Sequence, residues 1–479
     1  MNSVKVFKYF EEISAIPRGS GNTKRISDYC ASFARKRAFE YCQDEWNNII
    51  IRKPASPGRE NDGGVIIQGH LDMVAEKKPE SEHDFSKDGI KLVKNGDFIG
   101  AEGTTLGGDN GIAIAYALAV LDDDTISHPA LEAVFTVDEE IGMLGAKAID
   151  LSALTGKYLL NIDSDEEDIL LGGCAGGLTV ICTLKTQMIS ASGVPVRISV
   201  EGLKGGHSGA EIDKERANAD ILLGRILFRL TKDVVFSLKH LEGGTKDNAI
   251  PRKAEAVLLV HPQDIQKLKS LVKESNISFQ TEYALADPDI IIEIYIDEKC
   301  SSEDGEVMNR DGRDRIIFFL MNCPNGVYFH DLNIPEVVET SLNLGIMHME
   351  GDMVAFTFSV RSSLPERKMG LKERLESLTT FLGGSIRVQG DYPAWRLSPG
   401  SKLLSVMSDI YQEMFNKKPE VTSIHAGLEC GYILEKKPGL DIVSFGPQMY
   451  DIHTTEERMS ISSVDRMYDY LIEILRRIK

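Results

Sequence analysis

Short apolar runs alternate with helical patterns in the first part of the chain. Runs typical of buried strands lie near 50 and at 65–68, 133–137 and 158–162, and a continuous apolar stretch at 112–121 predicts a buried helix. Strands that alternate with helices are typical of an α/β sheet with helices on its faces. We therefore expect a three-layer domain with a mixed, mostly parallel sheet and helices on both faces.

The pattern changes near residue 184, where strand-like runs begin to outnumber helical ones. A charged helix is predicted near 214–230, and the segment 341–363 predicts a hairpin whose turn is 350–352. Strands that pair through hairpins favour an antiparallel sheet with helices on one face. The other strand-like runs are 194–202, 254–260 and 290–296.

The α/β pattern returns after Gly390. A helix is predicted near 401–415, a strand at 441–445 and a closing amphipathic helix from Ser463 to Arg477. We therefore predict an α+β domain that is inserted into a discontinuous α/β domain. The inserted domain is 184–387, and the α/β domain consists of 1–183 and 388–479.

The amino-acid composition and net charge limit the classes of protein to which the chain can belong. Of the 479 residues, 42% are hydrophobic and 27% are charged, as in ordinary globular proteins. No stretch approaches the ~20 apolar residues of a membrane span, and residues 1–10 lack a signal-peptide pattern, so we expect a cytoplasmic protein. A net charge of −19, from 54 basic and 73 acidic side chains, disfavours nucleic acid and acidic membranes as partners.

The cysteines argue against a disulfide framework and against a thiolate zinc site. They are odd in number, widely spaced and without a CxxC pair. Their positions are Cys30, Cys42, Cys174, Cys182, Cys300, Cys323 and Cys430.

Histidine and acidic residues stand at or beyond the carboxyl ends of several apolar runs. Taken singly, each has a structural explanation: an internally satisfied histidine, a helix N-cap, or the acids of a solvated loop. Ligands bind at this edge of open α/β sheets, so the joint pattern favours one site. The candidates are His70, Asp109, Glu139, Glu140, Asp163 and His453.

The acids of this group predict bound metal. Three converging carboxylates repel one another unless a cation lies between them. Asp109, Glu140 and Asp163 with one hydroxide carry as much negative charge as two divalent ions carry positive charge. Nitrogen and oxygen ligands without thiolate suit Zn²⁺, with Mn²⁺ or Co²⁺ as substitutes. We therefore expect two Zn²⁺ ions per chain.

Motifs along nearly the whole chain resemble those of the aminoacylase and carboxypeptidase type of di-zinc exopeptidases. They are most similar to the aminoacyl-histidine dipeptidases, which are the carnosinase-like peptidases. The motifs are HLD at 70–72, GGDNG at 107–111, DEEIG at 138–142, NID at 161–163, GGHSG at 205–209, NAIPR at 248–252, HAGLECG at 425–431 and IHTTEE at 452–457. The resemblance implies hydrolysis of unblocked dipeptides such as β-alanyl-histidine and other Xaa-His.

The resemblance also implies a role for each metal-site residue. One ion is held by His70 and Asp163, the other by Glu140 and His453, and Asp109 bridges them. The peptide bond after Asp109 is implied to be cis. Two further acids complete this centre: Glu139 is the general base and Asp72 orients His70.

In the inserted domain the resemblance implies residues that contact substrate. His207 would donate to the oxyanion, Asn248 would hold the substrate and Arg361 would bind its terminal carboxylate. Their structural alternatives are a loop histidine, a turn residue and a surface ion pair. Glu429 is either a partner for the substrate's ammonium group or a helix-terminus carboxylate, and His425 either supports the site or is structural.

Three functions stay open at this point. The first is a metal-dependent dipeptidase, and the second is a related N-acyl amino acid hydrolase or carboxypeptidase, which needs no acidic partner such as Glu429. The third is a non-catalytic metal-dependent binding protein, against which Glu139 argues because a structural metal site needs no general base. Besides a dipeptide substrate, the expected partner is a second copy of the chain, in a homodimer formed through the inserted domain.

Overall fold

The computed structural model describes residues 3–296, 302–398 and 400–479. They form two compact units. Unit 1 comprises Met1–Cys174, Trp395–Ser423 and Leu428–Lys479. Unit 2 comprises Ala175–Ala394 and Ile424–Gly427.

The strands follow one another along the chain in three stretches. Unit 1 begins with β1 (Glu40–Gln43), β2 (Ile49–Lys53), β3 (Val65–His70), β4 (Leu92–Asn95), β5 (Phe98–Ala101), β6 (Leu131–Thr136), β7 (Tyr158–Asn161) and β8 (Ile169–Cys174). Unit 2 contains β9 (Gly176–Lys185), β10 (Met188–Glu201), β11 (Gly206–His207), β12 (Phe236–Gly243), β13 (Ala249–Ile250), β14 (Ala254–Val260), β15 (Ile291–Ile296), β16 (Glu303–Met308), β17 (Gly326–His330), β18 (Val338–Glu350), β19 (Met353–Ser362) and β20 (Ser385–Tyr392). The chain then forms β21 (Glu420–Ile424), β22 (Asp441–Ser444), β23 (Met449–Tyr450) and β24 (Arg458–Ser460).

The α-helices are divided between the units in the same way. In unit 1 the chain begins with α1 (Val4–Ser14), α2 (Lys24–Lys36), α3 (Gly108–Leu121) and α4 (Leu144–Ala148). Unit 2 contains α5 (Ala219–Leu230), α6 (Ile265–Glu282), α7 (Arg310–Asn322) and α8 (Pro365–Phe381). The chain ends in unit 1 with α9 (Lys402–Phe415), α10 (Cys430–Lys436) and α11 (Ile461–Arg477).

Unit 1 is built on a mixed sheet, as predicted. Its strand order is β1-β2-β6-β3-β7-β22-β8-β21. The central strands β6, β3, β7 and β22 are parallel, whereas β1, β2 and β8 pair antiparallel to their neighbours. Every residue of β3 and β6 is buried. Burial on both faces is typical of parallel strands covered by helices on each side.

The parallel strands bring three chemical segments to one edge of the sheet. Strand β3 ends at His70, β6 ends just before the acids 138–140, and β7 ends just before Asp163. Since β6, β3 and β7 are direct neighbours, their carboxyl ends lie side by side. The order of strands therefore explains why residues that are distant in sequence meet.

Unit 2 is an α+β unit with antiparallel pairing. Its sheet has the strand order β15-β10-β14-β12-β18-β19-β9-β20, with β16 paired to β10 and β17 paired to β18. The predicted hairpin is confirmed as β18 and β19, whose turn contains Gly351 at a φ of 58°. Left-handed backbone of this kind favours glycine.

Two boundaries differ from the sequence predictions. The charged helix begins at Ala219 rather than near 214, because the Asn218 side chain accepts hydrogen bonds from the N–H groups of Asp220 and Ile221 and caps the helix there. The main segment of unit 2 extends beyond 184–387 at both ends, because β9 pairs with β19 and β20.

The structure bears on two expectations from the sequence, one about the cysteines and one about membrane spans. The cysteines Cys30, Cys42, Cys174, Cys182, Cys323 and Cys430 are free thiols, and Cys300 lies outside the described residues. Among the described helices, none combines the length and apolar character needed to cross a membrane.

Candidate metal centre

Four side chains converge on the carboxylate of Asp109 in unit 1. Asp109 Oδ1 lies 3.1 Å from His70 Nε2, and Oδ2 lies 3.0 Å from His453 Nε2. Asp163 Oδ1 lies 3.6 Å from His70 Nε2, and Glu140 Oε1 lies 3.2 Å from His453 Nε2. Each oxygen of Asp109 therefore belongs to its own set of three donors, one with His70 and Asp163, the other with His453 and Glu140.

The backbone before α3 places Asp109 between the two histidines. Gly107 has a φ of 69°, and a Cβ at this position would lie 2.6 Å from Met73 Sδ, so only glycine fits. The Asp109–Asn110 peptide bond is cis, and both residues depart from helical φ and ψ. Both oxygens of the Asp109 carboxylate face histidine nitrogens, whereas a simple N-cap would accept from an N–H group of the helix that follows it.

Asn110 was missed by the sequence analysis although it lies in the GGDNG motif. Its side-chain Nδ2 donates to Asp163 Oδ1 at 2.9 Å, and its Oδ1 accepts from the backbone N–H of His70 at 3.2 Å. Asn110 thus ties a donor of the metal centre to the strand that carries His70.

Asp72 is placed to orient both His70 and the loop of the two glutamates. Its Oδ1 lies 3.4 Å from His70 Nδ1. It also accepts hydrogen bonds from the backbone N–H groups of Glu139 at 3.0 Å and Glu140 at 3.3 Å, and from Ser20 Oγ at 2.8 Å. One buried carboxylate thereby fixes the positions of two predicted ligands and of the predicted base.

The crowded acids strongly change one another's protonation. Burial raises the pKa of Asp163 to about 6. Burial also raises the pKa of Glu139 well above its ordinary value, and the negative charges of Asp163, Glu429 and Glu140 add to this, against the opposing charge of His70. The hydrogen bond to Asp109 and the neighbouring carboxylate of Glu140 raise the pKa of His453 to about 11. The centre thus has a surplus of negative charge that requires cations or protons.

The donor set fits metal ions. Glu140 Oε1 is buried and has no hydrogen-bond partner among the described residues, because His453 Nε2 is near but not aligned for a hydrogen bond. The ligand atoms of His70, Asp109 and Glu140 lie within 4.8 Å of one another. Imidazole nitrogens and carboxylate oxygens in two linked sets suit two divalent cations.

Glu429 occupies a buried position just before α10. Its Oε2 accepts from Gln68 Nε2 and Thr136 Oγ1, each at 2.5 Å, while Oε1 has no partner among the described residues. Burial raises the pKa of this carboxyl to about 7. Glu429 is the N-cap residue of α10, the position of its helix-terminus alternative, but its side chain makes no capping hydrogen bond to the helix.

Two more buried residues that support the loops were missed. Glu457 accepts from the backbone N–H groups of Leu106, Gly107 and Gly108 at 2.8, 3.1 and 2.8 Å. Arg18 donates to the carbonyl oxygens of Leu71 at 3.2 Å and Asp72 at 3.0 Å and to that of Gly107. Glu457 could have been found from the sequence, because it is the last residue of the IHTTEE motif. Nothing in the sequence around Arg18 indicated its role.

His207 and Asn248 lie near each other in unit 2. Strands β11 and β13 pair, and Ser208 N donates to Asn248 O at 2.8 Å. His207 Nδ1 accepts hydrogen bonds from the N–H groups of Gly209 at 3.3 Å and Ala210 at 3.0 Å. Because Nδ1 is an acceptor, the neutral imidazole carries its proton on Nε2, which is therefore a donor.

Arg361 lies in an electropositive part of unit 2. It is 7% exposed, so it is not a surface residue, and its Nη1 donates to Tyr392 Oη at 2.9 Å. Its Nε is buried without a partner among the described residues. His425 Nε2 pairs with Ser341 Oγ at 2.7 Å, and burial together with the charge of Arg361 lowers the pKa of His425 to about 3. A neutral His425 and an unpaired guanidinium edge suit an anionic ligand.

The predicted site residues thus fall into two sets. Unit 1 brings together His70, Asp72, Asp109, Glu139, Glu140, Asp163, Glu429 and His453. Unit 2 contains His207, Asn248, Arg361 and His425.

The chain is similar to several known peptidases. The chain is 37% identical over 471 residues to the cytosol non-specific dipeptidase of Escherichia coli, covering 98% of this chain and 96% of that protein. The crystal structure of aminoacylhistidine dipeptidase from Vibrio alginolyticus is 34% identical with a TM-score of 0.90, and the match covers 100% of this chain and 98% of that one. Aminopeptidase PepT from Bacillus cereus shares the fold at 16% identity and a TM-score of 0.57, over 99% of this chain and 98% of that one. Residues 66–477 match the model of peptidase family M20/M25/M40, and the chain belongs to this family.

Proposed function

We propose that this peptidase is a metal-dependent dipeptidase that hydrolyses unblocked dipeptides, including β-alanyl-histidine and other Xaa-His. The observation that carries the proposal is the carboxylate of Asp109, whose two oxygens face His70 and His453 in two linked donor sets. The relatives support the substrate class, since one is named a non-specific dipeptidase and the other an aminoacylhistidine dipeptidase.

The five converging side chains are the proposed ligands. His70 and Asp163 would hold one ion, Glu140 and His453 the other, and Asp109 both. Their nitrogen and oxygen atoms suit Zn²⁺, with Mn²⁺ or Co²⁺ as substitutes. When bound, two such ions make a water molecule more acidic and polarise a carbonyl group.

Glu139 is the proposed general base. Its backbone N–H is fixed by Asp72, and its carboxylate is not among the grouped ligand atoms, which belong to His70, Asp109 and Glu140. As water adds to the scissile carbonyl, Glu139 takes a proton from the water and then gives it to the leaving amine when the C–N bond breaks.

The oxyanion and the ends of the substrate need further partners. His207 carries its proton on Nε2 and is the proposed donor to the oxyanion. Arg361 is the proposed partner of the C-terminal carboxylate, and Asn248 is proposed to hold the substrate. Glu429, whose buried Oε1 has no hydrogen-bond partner among the described residues, is the proposed acceptor of the free ammonium group. Recognition of both charged ends would restrict the enzyme to short, unblocked peptides.

The deciding experiment compares β-alanyl-histidine with its N-acetylated form, using protein loaded with Zn²⁺ or Mn²⁺ and a chelator control. We expect cleavage of the free dipeptide only, because an acetylated amine has no charge to pair with Glu429. A Glu429→Gln variant should lose most of this preference. Cleavage of the blocked form would favour the acylase or carboxypeptidase alternative, and inactivity at full metal content would favour a binding protein.

Replacing Arg361 should affect recognition of the substrate's carboxylate. We expect Arg361→Ala to raise KM for free dipeptides by about tenfold to a hundredfold, the loss of a charge-assisted hydrogen bond, and to change KM for C-terminal amides far less. Steady-state kinetics on paired acids and amides measures this. Arg374→Ala, at an exposed arginine of the same unit, is the matched control. Equal effects on both substrates would remove the role assigned to Arg361.

Localisation and assembly are proposed from similarity and from the resemblance of the motifs. We propose a cytoplasmic enzyme, which the name of the Escherichia coli relative supports. We also propose a homodimer formed through the inserted domain, for which sedimentation analysis is the direct measurement. No partner other than the dipeptide and a second copy is proposed.

A further inference from the structure

Three residues on neighbouring strands of unit 2 stand side by side at the end of the sheet. Strand β9 lies between β19 and β20. Gly177 of β9 is the register partner of Arg361 on one side and of Tyr392 on the other. Gly177 therefore separates Arg361 from Tyr392 by the width of a single strand.

The absence of a side chain at 177 lets the phenol of Tyr392 cross this strand. A Cβ on Gly177 would lie 2.5 Å from Tyr392 Cζ and 2.9 Å from Cε1, closer than real contacts allow. The Tyr392 ring thus occupies the space above Gly177, and its Oη accepts the hydrogen bond from Arg361 Nη1 at 2.9 Å. Any larger residue at 177 would displace the phenol from the guanidinium.

The backbone of Tyr392 is itself held in place. The register of β20 against β9 shifts between Gln389 and Tyr392, and such bulges re-aim a side chain. Lys368, which is 6% exposed, donates to Tyr392 O at 2.9 Å and to Asp391 Oδ1 at 2.6 Å. These bonds fix the end of β20 at the point where the phenol leaves it.

The hydrogen bond determines which edge of the guanidinium stays available. Nη1 is taken by Tyr392, whereas Nε is buried without a partner among the described residues. Nε and Nη2 point in the same direction and form one of the two edges with which arginine binds a carboxylate through parallel hydrogen bonds. Tyr392 therefore leaves this edge free and limits rotation of the guanidinium about its long side chain.

We propose that Tyr392 is a positioning residue for substrate carboxylate recognition, and that it presents the Nε and Nη2 edge of Arg361 by crossing Gly177. The inference rests on the proposed role of Arg361 and deepens it. It assigns a part in substrate recognition to the end of β20, which carries Tyr392, and to the glycine at 177. Neither position was singled out by the sequence motifs.

The test is Tyr392→Phe, which removes one oxygen and keeps the ring over Gly177. We expect KM for β-alanyl-histidine to rise about tenfold, as for loss of a hydrogen bond to a charged group, with kcat within about twofold. KM for the C-terminal amide should be nearly unchanged. In an Arg361→Ala background the same substitution should add almost nothing, because the two residues act as one unit.

Controls separate this proposal from folding effects and from the proposed function. Tyr295→Phe removes a hydroxyl at the opposite edge of the same sheet, where Arg197 stacks on the ring, and should leave both KM values unchanged. Gly177→Ala should reproduce the selective rise in KM by displacing the phenol, and melting curves check that each variant is folded.

Two results would overturn the proposal in distinguishable ways. If Arg361→Ala is selective for the free acid but Tyr392→Phe and Gly177→Ala are not, the positioning role is wrong and the role of Arg361 stands. If Arg361→Ala itself affects acid and amide equally, the carboxylate assignment fails and the positioning role fails with it.

Discussion

Replacing Glu139 with Gln should abolish turnover while both metal ions stay bound. A glutamine keeps the size of the side chain but cannot take a proton from water or return it to the leaving amine. We expect kcat to fall by about 10² to 10⁴-fold, the usual contribution of general acid–base catalysis. Metal analysis of the same preparation should give the wild-type stoichiometry, because Glu139 is not among the grouped ligand residues His70, Asp109 and Glu140.

Asp138→Asn is the matched control for this variant. Asp138 is the preceding acid, has a φ of 55° and accepts from the backbone N–H of Gly21 at 2.7 Å. Asparagine tolerates left-handed backbone and keeps an acceptor oxygen, so the loop should be preserved and activity retained. If Glu139→Gln loses metal together with activity, Glu139 is a ligand and the base has to be sought elsewhere.

Much of the metal centre followed from strand periodicity because its residues stand at strand ends. His70, the acids 139 and 140, and Asp163 follow β3, β6 and β7, which are adjacent and parallel. Continuous apolar runs predict buried parallel strands, and the edge where such strands end is known in advance. The convergence of these residues could therefore be predicted from the sequence, without any measured interatomic distance.

The supporting residues could not be predicted in this way. Arg18 and Glu457 meet the 106–108 loop through backbone hydrogen bonds, and Glu457 is about 350 residues from that loop in the sequence. A backbone group has no signature in the sequence, so periodicity does not indicate a residue that binds one. Glu457 is marked only by its place in the IHTTEE motif. The pairing of Tyr392 with Arg361 depends on a register shift in β20, which the residues of an exposed strand do not encode.

The remaining differences between the sequence predictions and the structure have local causes. The helix predicted from the charged run near 214 begins only at Ala219, because a single side chain, Asn218, caps it. Asp109 looked like an N-cap because it precedes an apolar helix. The resemblance implied a bridging role for it. The left-handed Gly107 and the backbone after it, which turn its two oxygens towards two histidines, are conformational rather than compositional features.

Replacing Asp109 should have a larger effect on metal content than replacing any other ligand. Asp109 belongs to both donor sets, whereas Asp163 belongs to one. After dialysis against metal-free buffer, we expect Asp109→Asn to lose both ions and Asp163→Asn to retain about one, with turnover lost in the first variant. Elemental analysis of metal per chain measures the difference.

Thermal stability gives the same comparison without relying on activity. Ligands that bind only the folded state stabilise it, so added Zn²⁺ should raise the melting temperature of the wild type most and that of Asp109→Asn least. Asp163→Asn should fall between them, because one donor set stays intact. Asn110 Nδ2 can still donate to the amide oxygen of an asparagine at 163, which limits rearrangement in that variant. Equal metal content and equal melting shifts in the two variants would mean that Asp109 serves one ion only, and the two donor sets would then be independent sites.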